Sequence, residues 1–454
     1  MNRSTAFGWV LSICALALVN GSPAHGQDEK PVPRDPIAVL IGQLDAKKAE
    51  ARDSAQSALL KLGEKARGHL LAAVDSKEVG VRRRASALLL RLDSLAAAAA
   101  GTDLTWAGLR GGPSRSGVVG ASLPRAHPTL AWSVSVRTQM VIEGSVIPSK
   151  DRVICLDKVG VVRSFFTSNG KRDWLHTLEG KAQITASAAL AADRLVLPTS
   201  KGLVTLDAKT GRALWSVPSA YGSYAAPAIH GRRVYASLRN IGLRALDLDS
   251  GKPVFDRKMT PMGALLVKGE LLVTGTLDGR LVRIDQATGK DVWSVDLGGA
   301  PQMGPTLVND DVIVVFVNNR ELRGIRASDG KSLWMKRLQA RSESESLASA
   351  AGRVAVTGSD GYIRVIDGET GRLNWRRDSG MVELGGPCMS DELVVYGANG
   401  MITCRDARTG IYQWRMFAPS RTNSTPAAWN GRLFILFGNE LRAYDAPKGP
   451  ETPR

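Results

Sequence analysis

LDAKTGRALW (206–215), IDQATGKDVW (284–293) and IDGETGRLNW (366–375) are three copies of one phrase, and its recurrence decides the fold. The glycines of the phrase are Gly170, Gly211, Gly251, Gly289, Gly330, Gly371 and Gly410, spaced by 41, 40, 38, 41, 41 and 39 residues. Four residues after each stands Trp174, Trp215, Phe255, Trp293, Trp334, Trp375 or Trp414. One further indole, Trp132, lies 42 residues before Trp174. A period near forty with one aromatic per unit and several short strands in each is the pattern of a β-propeller.

Within a unit the signals keep one order. A small-residue stretch such as Ala225-Ala226-Pro227 leads into a β-rich run such as Val312-Ile313-Val314. Turn pairs follow (Asp278-Gly279, Asp360-Gly361, Asn399-Gly400), which predict two-residue hairpins with both central residues at positive φ. The third strand is expected to end on the acidic residue of the phrase and the fourth to begin at the aromatic. Asp207, Asp247, Asp285, Asp367, Asp406 and Asp445 fill that acidic position, with Phe166 and Arg326 as exceptions. An aspartate repeated at the same turn reads as turn chemistry, its carboxylate accepting backbone N–H bonds, rather than as catalysis. The last unit stops after three strands, while Trp132 brings a fourth strand without its three predecessors. Joining these halves closes the ring and predicts eight blades.

The phrase A-x-D-x-x-T-G-x-x-x-W and the lead-in WAGLRGGPSRSG (106–117) resemble the pyrroloquinoline-quinone-type propeller superfamily over about residues 104–446. The resemblance implies a mainly β, eight-bladed quinoprotein-like propeller. It implies either of two functions, because the superfamily holds quinoprotein dehydrogenases as well as non-catalytic, BamB-type envelope propellers. A dehydrogenase of this kind stacks its quinone between a tryptophan and a vicinal disulfide, binds calcium through a Glu/Asn/Asp set, and uses an Asp base. No two cysteines are adjacent here and there is no C-x-x-C-H haem site. Glu143, Glu345, Glu383 and Asn423 lie near inner-strand positions and are the weak funnel candidates for cofactor contact. A hard cation needs several oxygens converging on one point, and scattered carboxylates do not supply that.

Before the ring the period changes. Asp35-Pro36 reads as an N-cap with proline in the first turn. The stretch 44–62 matches 74–92 at an offset of 30, so that Ala51, Ala55, Ala58, Leu59 and Leu62 correspond to Val81, Ala85, Leu88, Leu89 and Leu92. This is the stripe of an amphipathic helix, and the phrase VRRRA (81–85) resembles HEAT-type helical hairpins. Arg82-Arg83-Arg84 reads as a solvated helix face rather than an anion site.

The chain has 454 residues, a formal charge of +17 and 44% hydrophobic residues, enough for a large core. Residues 1–26 carry a positive start at Arg3, an apolar run from Phe7 to Val19 and small residues at Ala24 and Gly26, the features of a cleaved export signal. Cys14 follows the bulky Ile13, which argues against lipidation. After cleavage no stretch is long and apolar enough to be a transmembrane segment. Cys155, Cys388 and Cys404 are expected as buried thiols. The expected organisation is 1–26 signal peptide, 27–34 linker, 35–95 HEAT-like helical hairpins, 96–103 linker, 104–446 propeller and 447–454 tail.

The remaining residues favour binding over chemistry. No P-loop, G-x-S-x-G, H-E-x-x-H or zinc spacing occurs. The blade motif absorbs the tryptophans and aspartates, and no catalytic residue and no metal ligand is assigned. Arg337, Arg341, Arg376, Arg377, Arg415, Phe417 and Arg421, on loops following the last three aromatics, join cations to aromatics in the manner of a protein interface. The expectation is an exported, periplasmic or extracellular, non-catalytic scaffold for protein–protein interaction in the cell envelope, with a protein or peptide partner. No cofactor is expected. The alternative is a divergent alcohol or sugar dehydrogenase using pyrroloquinoline quinone (PQQ) and calcium. A third reading, from the net charge, is binding of a polyanion. An exported chain meets anionic glycan or lipid surfaces rather than nucleic acid.

Overall fold

A computed structural model describes residues 35–74, 76–78, 80–82, 84–85, 88–89, 92, 109–112, 117–119, 123–137, 141–301, 304–318, 320–338, 347–379, 385–398, 400–417 and 425–447. From residue 129 to residue 445 the strands form eight antiparallel sheets, the blades of one ring. Blade 1 runs outward through Val141–Pro148, Arg152–Asp157, Val161–Phe166 and Arg172–Thr177. Blades 2 to 7 repeat it, with inner strands starting at residues 189, 228, 261, 306, 347 and 388. Each blade is covered on both faces by its neighbours, so second strands such as Val312–Val317 are buried along their length. Outer strands such as Ser332–Arg337 alternate with solvent.

Blade 8 joins the two ends of the chain. Ala427–Trp429, Arg432–Phe437 and Glu440–Asp445 are completed by Thr129–Ser135, with Thr129 opposite Asp445 and Ser135 opposite Glu440. The first inner strand touches the last, so the ring is closed. Closure removes the open sheet edges that an arc of blades would leave.

An indole seals six of the eight boundaries in the same way, Phe255 standing at the blade 3–4 boundary and the chain ends meeting at the blade 7–8 boundary. The Trp174 Nε1–H donates to Ala208 O of the next blade at 3.1 Å, and Trp334 Nε1–H to Gly368 O at 3.0 Å. The ring lies flat on the glycine of the next turn: a Cβ on Gly211 would come within 2.6 Å of Trp174, and one on Gly371 within 2.6 Å of Trp334. At the blade 7–8 boundary the turn after Asp445 is interrupted, and residues from the other end of the chain replace it. Trp414 Nε1–H donates to Pro124 O at 2.8 Å, and His127 packs edge-on against the indole at 6.3 Å.

Two local expectations change. The outer strand starts two residues before the aromatic, at Ala213 for Trp215 and at Leu373 for Trp375. In the two Asp-Gly turns between second and third strands only the glycine takes positive φ, +85° at Gly279 and +77° at Gly361. Gly279 N–H donates to Thr276 O at 3.0 Å and Gly361 N–H to Gly358 O at 3.1 Å, so these are one residue longer than the expected two-residue turns.

The aspartates behave as turn residues. Asp207 Oδ1 accepts from the backbone N–H groups of Lys209 (3.0 Å) and Thr210 (2.8 Å) and from the Thr210 hydroxyl (3.0 Å); Asp367 and Asp406 repeat the set. Burial works against the charged form at all three, but these hydrogen bonds outweigh it and hold each carboxyl below its ordinary value. Their stabilising contribution is therefore complete above about pH 4 and is lost as pH falls through the depressed folded values. Scanning calorimetry should show the propeller midpoint dropping below about pH 4. The triple variant Asp207→Asn, Asp367→Asn, Asp406→Asn should lose part of that drop; an unchanged acid limb would acquit these turns.

The helical segment comprises α1 (Pro36–Gln43), α2 (Ala49–Leu62) and α3 (Glu64–Ala73), with further helical residues from 80 onward. Asp35 caps α1 through Ile37 N–H at 2.9 Å. Ala55, Leu59, Val81, Ala85, Leu88, Leu89 and Leu92 form one core, as the stripe predicts. Ala51 and Ala58 are only half-buried and Leu62 is 36% exposed, because α2 ends there and the Gly63 turn carries the chain away. The offset of 30 reappears in hydrogen bonding. Arg52 Nη1–H donates to Ala46 O and Lys47 O (2.8 and 2.9 Å), and Arg82 Nη1–H to Ser76 O and Lys77 O (2.6 and 2.9 Å). Arg84 ties Leu44 O at 2.7 Å and Asp45 at 3.0 Å. Two of the three arginines of the run are thus committed to holding helix ends.

Candidate partner-binding face and hub

The hub is occupied by the chain's own lead-in. Val118–Val119 pairs in parallel with Ala427–Trp429, a fifth strand on the inner side of blade 8. Gly117 O accepts from Ala428 N–H at 2.7 Å and from the Cys388 thiol of blade 7 at 3.3 Å. Gly117 N–H returns to Arg110 O at 3.0 Å. Arg110 is 1% exposed, and its Nη1–H donates to Leu347 O on the inner strand of blade 6 at 2.8 Å. The short helical turn Leu109–Gly111 also packs against the inner strand of blade 1. Four blades thus converge on one segment. The sequence carries a trace of this in the Arg110-Gly111-Gly112 lead-in, but nothing in it says that the arginine points inward.

The face formed by the outer-to-inner connections and the second-to-third-strand turns carries a groove of about 790 Å³ spanning blades 2 to 4. Tyr221, Tyr224 and Leu277 rim it, 57%, 51% and 60% exposed, above Met259, Met262 and Ile241. The Arg239 guanidinium lies over the Tyr224 ring at 4.3 Å, a geometry that fixes a cation beside an apolar wall.

The arginines expected on loops sit elsewhere. Arg337, Arg376, Arg377 and Arg415, with Phe417, belong to the outer strands Ser332–Arg337, Leu373–Asp378 and Tyr412–Phe417, one strand per blade along the rim. Arg377 Nη2–H donates to Thr409 O of the next blade at 3.1 Å, a structural tie. Arg376 lies over Tyr362 at 4.5 Å and Arg415 over Tyr412 at 5.8 Å. Phe417 is 79% exposed. Arg341, Arg421, Glu345, Glu383 and Asn423 lie outside the described residues, as does the side chain of Glu143.

The described residues do not fit a quinone–calcium site. Cys388 and Cys404 face Val395 from either side on three consecutive strands. That separates them by about two strand spacings, near 9.6 Å, beyond the roughly 7 Å a disulfide spans. Cys155, Cys388 and Cys404 are buried thiols, and burial pushes Cys155 and Cys388 up to about 12. The buried cation at the hub is Arg110, whose charge opposes a calcium ion there. Among the described residues no group of three or more His, Cys, Asp or Glu is placed to hold a metal.

Comparison with known proteins follows the same lines. The family model described as outer membrane protein assembly factor BamB matches residues 123–294 and 277–388. The outer membrane protein assembly factor BamB of Xanthomonas campestris pv. campestris is 27% identical over 46% of this chain and 68% of its own length. The counterpart of Yersinia pestis is matched over 63% of its length, so the alignments span about two-thirds of these relatives. Among solved structures, BamB from Moraxella catarrhalis superposes with a TM-score of 0.60 at 21% identity, over 71% of this chain and 99% of that one. A quinohemoprotein alcohol dehydrogenase of Pseudomonas putida superposes at 0.63 and 14% identity, over 79% and 83%, and shares the fold.

Proposed function

This chain belongs to the family of the outer membrane protein assembly factor BamB, and from that membership we propose that it is an exported, non-catalytic propeller scaffold that holds protein partners while envelope proteins are assembled. The observation that carries the reading is the hub. The axial position that a propeller enzyme devotes to its cofactor is spent here on the Arg110–Leu347 tie and the added strand Val118–Val119. What is left for function is surface: a grooved face with exposed tyrosines, a leucine and cations, the mixture that protein interfaces favour. Residues 35–95 form a separate helical unit in this proposal, appended to the ring as a second contact surface.

The experiment is deletion of the coding sequence in the cell that makes the protein. The amount of folded β-barrel protein in the outer membrane, read by gel mobility before and after boiling, should fall, and re-expression should restore it. An unchanged amount overturns the assembly role.

A further inference from the structure

We propose that the cleft between blades 3 and 4 is a binding site for an extended acidic polypeptide segment in which carboxylates alternate with apolar side chains. The proposal deepens the scaffold reading by naming a site and the chemistry of its partner.

The boundary differs from the others in the ring. Where seven aromatic positions carry tryptophan, blade 3 carries Phe255, a smaller ring with no N–H to donate. At this boundary a second groove of about 660 Å³ opens between the outer parts of the two blades. The comparable crevice at the blade 1–2 boundary, sealed by Trp174, measures about 390 Å³. The blade 3–4 groove shares Lys258, Met259, Thr260 and Leu277 with the face groove of about 790 Å³, so the two run together as one channel from the face to the rim. A channel open at both ends suits an extended chain, which advances about 3.3 Å per residue and sends alternate side chains to opposite walls.

The walls select the sequence. Tyr221, Tyr224, Leu277 and Met262 offer apolar and adaptable surface to one set of side chains. Arg239 and Lys258 are exposed, and among the described residues neither has a carboxylate partner. Arg257 is neutralised by Asp291, and Arg280 donates to Ser294 at 2.8 Å, with Asp278 as the nearby carboxylate. The channel therefore has cations to spare, and glutamate or aspartate on the ligand complements them. A bare polyanion matches the charge but leaves the tyrosines and Leu277 unused.

The test measures fluorescence anisotropy with two labelled peptides of about ten residues. One alternates Glu with Leu and Tyr; the other has Lys in place of every Glu. At physiological salt the acidic peptide should bind at least about tenfold more tightly. Arg239→Glu with Lys258→Glu should abolish that preference, and Leu277→Ser should weaken the acidic peptide without restoring the basic one. Lys290→Glu, at an exposed turn outside the channel, should change nothing. These side chains are exposed, and an unaltered melting midpoint certifies each variant as folded; Lys258→Gln is the milder second substitution. Equal binding of the two peptides overturns the proposal. So does a preference that survives the double charge reversal, or complete displacement by polyphosphate with Leu277→Ser inert. Normal β-barrel levels on deletion together with acidic-peptide binding would reject the assembly role and keep this site, whereas the converse would keep the role and reject the site.

Discussion

Replacing Gly371 with valine is expected to destabilise the propeller by about 5 kcal/mol, seen as a large fall in the urea midpoint followed by tryptophan fluorescence. Gly371 has φ +70°, where a β-branched residue carries strain of about 1–3 kcal/mol. A Cβ there would also lie 2.6 Å from Cε3 and 2.7 Å from Cδ2 of Trp334, so the indole has to leave. Losing a fully buried aromatic ring costs about 3–5 kcal/mol, and the half-buried Trp334 forfeits the lower end of that range. Gly368 O, which accepts from the same indole at 3.0 Å, loses its donor as well. The control is Gly269→Val. Gly269 has φ +53° but nothing within 4 Å of its missing Cβ, so that substitution carries strain alone. Equal losses at the two sites would show that backbone strain, and not the indole resting on glycine, accounts for the effect.

That pair of sites also explains what the sequence could convey. The phrase ending in Trp334 is periodic because each boundary poses the same packing problem, and a problem solved seven times leaves a period that counting detects. The closing strand was legible for the same reason, since Trp132 carries the motif's aromatic without its other strands. Arg110 solves a problem that occurs once, at the hub, and a single arginine beside two glycines gives no period to count. The rim arginines were misplaced because the outer strand extends beyond the aromatic as far as Arg337, Asp378 and Phe417. Phe255 is the one break in the indole series, but it does not line the channel at the blade 3–4 boundary, and a gap between blades is a property of two units that no single stretch displays.

The same break supports a second large effect, at Arg233. Gln286 O occupies the position that elsewhere accepts the indole N–H, and Phe255 cannot donate to it. Arg233 Nη1–H does so instead at 2.7 Å, from a side chain 4% exposed, while Tyr235 OH donates to Gln286 Oε1 at 2.7 Å. Arg233→Met keeps most of the volume and removes the donor, leaving a buried carbonyl without it at a cost of about 1–3 kcal/mol. Phe255→Trp alone brings a larger ring to a place already served by the arginine and costs about 1–3 kcal/mol by overpacking. In the double variant the indole takes over the carbonyl and the shorter apolar side chain makes room for it. The combined loss should therefore fall short of the sum of the single losses by at least about 1 kcal/mol in a urea double-mutant cycle. Thr167 O supplies the contrast, because it accepts from Trp132 Nε1–H at 2.9 Å and from Arg432 as well. Losing either donor there leaves the other in place, so Trp132→Phe should forfeit less through its carbonyl than Arg233→Met does. Strict additivity at Arg233 and Phe255 would mean that the two side chains do not substitute for one another, and that the arginine is held at this boundary for some reason other than the missing indole.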